Sequence, residues 1–183
     1  MNSLVKKSDI ARAEQLELDK RNAEEGQYLT FQLAGEMFAI GILNIKEIIE
    51  YGQITAVPMM PGFVRGVINL RGQVVPVIDL QVRFGRDSTA VNKRTCIVIV
   101  EVNTGEEGER QDIGVVVDSV SEVLGIAPED IERAPSFGAR LRQDFISGMG
   151  KVDGKFVIIL NVDQVLSVEE LSALVGTLSE AQV

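Results

Sequence analysis

The sequence predicts an essentially all-β protein, and three observations carry that reading. Short apolar runs rich in Val, Ile and Leu recur along the chain, such as Val64–Leu70, Val74–Leu80 and Phe156–Leu160, and the joins between them are polar and contain Gly. That is the pattern of paired strands. The pattern also repeats, in two blocks whose offsets differ by seven residues. Phe63, Gly66, Gly72, Asp79 and Leu80 return without a gap as Phe145, Gly148, Gly154, Asn161 and Val162, and a second block, Ala39-Ile40, Ile42, Ile45 and Glu47-Ile48-Ile49, returns as Gly114-Val115, Val117, Val120 and Glu122-Val123-Leu124. Two copies at so long a period do not make a solenoid; they read as two similar β units in one chain. The third observation is that a strong helix signal occurs only at the C-terminus, where Ser167-Val-Glu-Glu170 is a capping box flanked by a Leu166/Leu171 staple.

Taken in order, residues 1–26 are polar and of mixed charge, with scattered apolar residues at Leu4, Val5, Ile10, Leu16 and Leu18. A helix from Ser8 or Asp9 would find no partner face, so this stretch reads as a flexible or weakly helical extension. The ordered domain spans 27–166. Tyr28–Leu33 alternates as a strand, Ala34-Gly35-Glu36 turns, and Met37–Ile42 returns. Asn44–Glu50 is ambiguous, because Ile45, Ile48 and Ile49 suit a helical face while three Ile residues favour a strand. Pro58 and Pro61 bracket the loop into the central hairpin. Pro76, lacking an N–H, places its part of the second hairpin strand at a sheet edge or at the end of a pairing ladder. Gln81–Asn92 is a polar connector, Thr95–Val102 a strand buried on both faces, Asn103–Gln111 an acidic hairpin tip and Asp112–Val117 the returning strand. Pro128–Ile131 reads as a helical turn opened by Pro and acids. The helix and tail occupy 167–183.

Bulk composition excludes several kinds of chemistry. The 183 residues hold 45% apolar and 25% charged side chains, the balance of an ordinary globular protein. No apolar segment approaches the roughly 18 residues of a membrane helix, and no signal-peptide core precedes Asp9 and Arg12. With no His and one Cys, the commonest general base and the thiolate metal clusters are both missing. Cys96 belongs to a strand expected to be buried, where a thiol is inert. We therefore expect no catalytic residues, no cofactor and no metal, and the cytoplasm as location. A carboxylate enzyme is the rival from another class; it requires a concave polar pocket with converging acids.

A net charge of −9 argues against nucleic acid as a partner. The charge is uneven. Arg65, Arg71, Arg83, Arg86, Lys93 and Arg94 cluster in 61–94, whereas residues 101–132 hold ten acids against Arg110 alone. Such asymmetry suits docking to partners of complementary sign. Gly148-Met-Gly-Lys-Val-Asp-Gly154 mimics a phosphate loop, but the spacing is wrong and a strand follows it. Asp79 and Asn161, equivalent in the repeat and at strand ends, read as side chains that bond nearby backbone groups. Within the central hairpin Arg65, Asn69 and Arg71 are polar residues that a strand pair does not require for folding.

Gly66-Val-Ile-Asn-Leu-Arg-Gly72 followed by Val75-Pro-Val-Ile-Asp-Leu80 closely resembles the signature of the CheW family of bacterial chemotaxis coupling proteins. The likeness continues through Phe31-Gln-Leu, Ile45-Lys-Glu-Ile, Asp112-Ile-Gly-Val-Val-Val-Asp-Ser-Val, Val123-Leu and Phe145-Ile-Ser-Gly-Met-Gly, covering roughly Gln27 to Leu166. It implies two five-stranded SH3-like β-barrel subdomains, intertwined on a shared apolar core. It further implies a non-enzymatic adaptor that ties the histidine kinase CheA, through that kinase's regulatory domain, to the cytoplasmic tips of chemoreceptors in membrane-associated arrays, without itself inserting in the membrane. The receptor hairpin would dock between the subdomains and the kinase at their ends. Ile45, Glu47 and Arg71 match positions associated with those contacts, and Arg65 and Asn69 join them as candidates. On their own terms Ile45 also fits a core, Glu47 a solvated face and Arg71 a turn-bracing role.

Overall fold

The computed structural model describes residues 26–103, 109–134 and 143–167. The C-terminal helix expected from Ser167, apart from that first residue, most of the acidic tip and the N-terminal extension lie outside them. Strands β1 (Gln27–Leu33), β2 (Glu36–Gly41), β8 (Ser119–Gly125), β9 (Ile131–Glu132), β10 (Ile146–Val152) and β11 (Lys155–Leu160) form one sheet in the order β8-β1-β2-β11-β10-β9. Strands β3 (Ile45–Glu50), β4 (Val64–Leu70), β5 (Gln73–Asp79), β6 (Cys96–Asn103) and β7 (Arg110–Val117) form the other in the order β3-β6-β7-β5-β4. One-turn helices α1 (Leu80–Arg83) and α2 (Val162–Val165) follow β5 and β11.

The repeat is written into local geometry. Residues 71–72 and 153–154 both carry positive φ, at 52° and 84° and at 50° and 77°, the tight turn that a right-twisted hairpin requires. Both hairpins slip register at the same point, between Val64 and Gly66 and between Ile146 and Gly148. The Asp79 N–H donates to the Phe63 carbonyl at 2.7 Å, and the Asn161 N–H to that of Phe145 at 2.8 Å. Asp79 and Asn161 then cap α1 and α2, accepting from the Gln81 and Gln164 N–H groups, as their short polar side chains favour.

The copies do not each build a sheet, however. β2 leaves the first copy to pair in parallel with β11 of the second, through Ile158↔Phe38 and Ile159↔Ala39. β7 does the reverse with β5, through Val77↔Gly114 and Ile78↔Val115. The chain crosses between sheets at a 3₁₀ turn, Ile42–Asn44, and again at Asp118. Each sheet thereby presents one face to a shared core that includes Leu29, Phe31, Phe38, Ile40, Val98 and Val115. The other faces close over smaller cores. Ile68, Val75, Ile97 and Val116 fill one, under a segment pinned by the Thr55↔Val67 bridge. Ala39, Ile126, Val157 and Ile159 fill the other, under the stretch leading to β9. These are the two five-stranded units expected, with the two-residue β9 added to the first.

Two ambiguities resolve physically. Asn44–Glu50 is a strand from Ile45 on, and its helix-like Ile spacing arises from a bulge between Ile45 and Glu47. The extra residue reverses which face follows, so Ile45 packs on the shared core and Ile49 on the opposite one. Pro76 is not at a sheet edge; it stands where the β5–β7 ladder begins, at Val77.

Candidate partner-binding site

The site begins with the bulge in β3 and the turn between β4 and β5. The bulge turns Glu47 toward the β4–β5 end of its sheet. There the left-handed turn lifts Arg71 clear of the strands, and its guanidinium donates to Glu47 Oε2 at 3.0 Å. The Arg71 side chain is 79% exposed and that of Glu47 is 25% exposed, so one face of the guanidinium is open to a partner. Asn69 braces the turn by accepting from the Gly72 N–H at 2.8 Å. Ile45 is half-buried against the shared core. Ile48, the next apolar residue of β3, is exposed. Three of the candidates, Glu47, Asn69 and Arg71, therefore share one end of the second sheet, with Ile45 further back along β3.

Arg65 is used differently. Its Nε and one terminal nitrogen reach Asp79 Oδ2 at 3.1 and 2.9 Å, another meets the Tyr51 hydroxyl at 3.2 Å, and the Thr89 carbonyl accepts a further bond. Asp79 also accepts from the N–H and hydroxyl of Thr89, both at 2.9 Å. Arg65 thus fastens the connector after α1 to the hairpin. Much of the basic stretch is engaged likewise: Arg86 reaches Glu36 at 3.3 Å, and Arg83 donates to the Val165 carbonyl at 3.0 Å. Lys93 and Arg94 are exposed. Within the fold, acids thus pair with Arg65, Arg71 and Arg86 of the basic stretch, and cations with Glu101 and Asp112 of the acidic one.

The two barrel ends are equivalent in the repeat but differ in character, the first being the more apolar. At the end of the first sheet lies a cavity of about 590 Å3. Met37, Leu124, Val152 and Phe156 line it with Glu36, Glu122, Asp153 and Lys155 around them, and Phe156 is 49% exposed. The corresponding end of the second sheet is a shallower depression lined by Lys46, Val74, Glu101, Arg110 and Asp112. There Lys46 meets Asp112 at 3.1 Å and Glu101 at 3.9 Å, and Arg110 meets Glu101 at 3.5 Å. These acids face cations rather than converging on a reactant. Val74, standing where the first sheet has Phe156, is 73% exposed. The sequence signal for this pair was an apolar residue at a polar position of a hairpin, which reads as ordinary strand when taken alone.

Among the described residues no group of three or more His, Cys, Asp or Glu is arranged to hold a metal. Cys96 is half-buried at the start of β6. Burial pushes its thiol above the ordinary range, the Glu50 carboxylate adds to that, and a Val120 backbone hydrogen bond partly offsets both. Such a thiol is a poor nucleophile. No helix among the described residues is long and apolar enough to cross a membrane.

Residues 27–170 match the family model of the CheW-like domain. The chain is 35% identical over 146 residues to chemotaxis protein CheW of Klebsiella aerogenes, covering 80% of this chain and 84% of that one. It is 35% identical over 145 residues to chemotaxis protein CheW of Helicobacter pylori, covering 79% and 84%. The solved scaffolding protein TtCheW of Thermoanaerobacter tengcongensis superposes with a TM-score of 0.69 at 35% identity, covering 79% of this chain and 89% of that one.

Proposed function

This chain belongs to the CheW-like family and is a chemotaxis coupling adaptor, and from that premise we propose that it joins the histidine kinase CheA to the cytoplasmic tips of chemoreceptors. In this reading it works in the cytoplasm at membrane-associated arrays, has no enzymatic activity, and acts by holding two partners at a fixed relative position. The supporting observation is the convergence of Glu47 and Arg71. They lie far apart in sequence and are carried by a bulge and a turn, yet meet at 3.0 Å on an otherwise exposed corner. An exposed ion pair adds little to folding, about 0–1 kcal/mol, so a fold gains little by assembling it. A paired arginine with an open face is suited to a carboxylate or carbonyl of a partner.

The kinase's regulatory domain would meet the barrel ends, where Phe156 supplies apolar area on one side and the Lys46–Asp112 cluster supplies charge on the other. The receptor hairpin would lie between the barrels along β3, where Ile45 and Ile48 offer apolar contacts to an amphipathic helix. Calorimetric titration with the regulatory domain of the CheA encoded nearest to this chain tests the reading. Binding at about micromolar or tighter, on the order of −8 kcal/mol, is the expected result. Absence of heat with a folded protein and a folded domain would refute the pairing with that kinase.

A further inference from the structure

Arg83 is one of the points at which the two copies of the repeat touch. It ends α1, and the offset that carries Phe63 to Phe145 and Asp79 to Asn161 carries Arg83 to Val165 of α2. Its Nε donates to the main-chain oxygen of Val165 at 3.0 Å. Its guanidinium carbon lies 5.5 Å from the ring centre of Phe63 and 4.8 Å from that of Phe145. One side chain thus meets its own counterpart and both members of a repeated pair, which puts it beside the approximate twofold axis relating the barrels.

Other bonds leave the same segment for the first sheet and its borders. Gln81 Nε2 donates to Asp118 Oδ1 at 3.0 Å, at the crossover into β8, and Arg86 reaches Glu36 on β2. Asp118 in turn accepts from the Ala34 N–H at 2.8 Å. Phe84 stacks on Phe38 with ring centres 5.8 Å apart and lies 6.3 Å from Phe145.

The physics of these contacts differs from that of the shared core. Apolar burial holds two layers together but is non-directional, so by itself it specifies their relative setting less sharply than directional contacts do. A planar cation over two ring faces, with one N–H aimed at a carbonyl, is directional in both displacement and rotation. We propose that Arg83 is a positioning residue, a clamp that fixes the setting of one barrel against the other. Given the adaptor function above, it thereby fixes the geometry between its docking surfaces.

The clamp is tested on the full chain without partners, so its failure is distinguishable from failure of the adaptor reading. In a Cys96→Ser background, spin labels at Glu50→Cys on β3 and Lys155→Cys on β11, both exposed, report the distance between barrels. With Arg83 present we expect one narrow distribution. Arg83→Met keeps the stem and its volume but removes cation and donor, and should broaden the distribution about twofold or more by permitting shear. Arg83→Lys restores a cation and should narrow it again. A melting curve alone would not make this distinction, since lost packing and lost registry both lower it. A folded Arg83→Met protein with unbroadened distances would overturn the proposal. Broadening in Arg83→Lys equal to that in Arg83→Met would overturn the part assigned to the charge. If Arg83→Met does not fold, Arg83→Leu, which likewise lacks cation and donor, is read by the same criterion.

Discussion

Replacing Asp79 by alanine should be among the costliest single changes in this fold. The carboxylate is 1% exposed. Oδ2 accepts from Arg65 at 3.1 and 2.9 Å and from the Thr89 N–H at 2.9 Å; Oδ1 accepts from the Gln81 N–H at 3.1 Å and the Thr89 hydroxyl at 2.9 Å. Its removal leaves the Arg65 guanidinium, 23% exposed, without its counter-charge. It also strands two donors of Thr89, a buried residue. Breaking a buried pair from one side costs about 3–5 kcal/mol, and stranding a buried neutral donor about 1–3 kcal/mol. Water reaching the partly exposed guanidinium recovers some of this, so we expect a loss of about 4 kcal/mol. That is a large share of a typical stability of about 5–15 kcal/mol. Urea unfolding measures it, with an unchanged slope as the sign that the native state alone was altered. Asp79→Asn should cost roughly half as much, because the equivalent Asn161 shows that an amide suffices for the cap. A loss under about 1 kcal/mol for Asp79→Ala would refute the network as a source of stability. So would an Arg65→Met/Asp79→Ala double variant that loses the full sum of the single changes, since coupled sites are not additive.

Two further outcomes follow from the same geometry. Gly66 sits at φ +148°, and a Cβ there would lie 2.2 Å from the Thr55 carbonyl oxygen and 2.8 Å from Ile54 Cγ2; Gly66→Ala should cost about 3 kcal/mol or more through strain and clash, and a melting curve within a few degrees of the parent would contradict this. Arg71→Ala removes a largely exposed pair and should change stability by no more than about 1 kcal/mol, while weakening binding to the kinase regulatory domain about tenfold, or 1.4 kcal/mol; a stability loss of core size with unchanged affinity would make Arg71 a turn brace instead.

What the sequence made legible was local. Hairpins, their left-handed turns and the caps at Asp79 and Asn161 follow from residue types at short separations, and the repeat doubled each signal. β3 was obscured because a bulge at Ile45–Glu47 gives a strand the apolar spacing of a helix. The exchange of strands was invisible for a deeper reason: a repeat says which segments are alike, and likeness does not specify pairing between copies. β2 could have bonded β5 as plausibly as β11. The site divides the same way. Arg71 stood out as a polar hairpin residue, Glu47 entered through a family resemblance, and the two came together in space, whereas the hold of Arg65 on Tyr51 and Thr89 depends on connectors with no repeat, periodicity or motif to announce them. The contact of Arg83 with its counterpart Val165 likewise joins residues that only the fold brings together.

The crossing of the chain between sheets has a consequence for how the molecule is made. β2 emerges from the ribosome early, but its parallel partner β11 begins at Lys155; β5 must likewise wait for β7. Neither sheet can be completed from the first half of the chain, so nascent protein carries unpaired edges for most of its synthesis, and pairing across long separations folds slowly. The same topology makes the halves mutually dependent. Fragments divided in the connector after α1 would each lack a central neighbour, and together would supply both, so reconstitution from two chains is a natural property of this architecture, and premature meeting of halves from different molecules is its characteristic hazard.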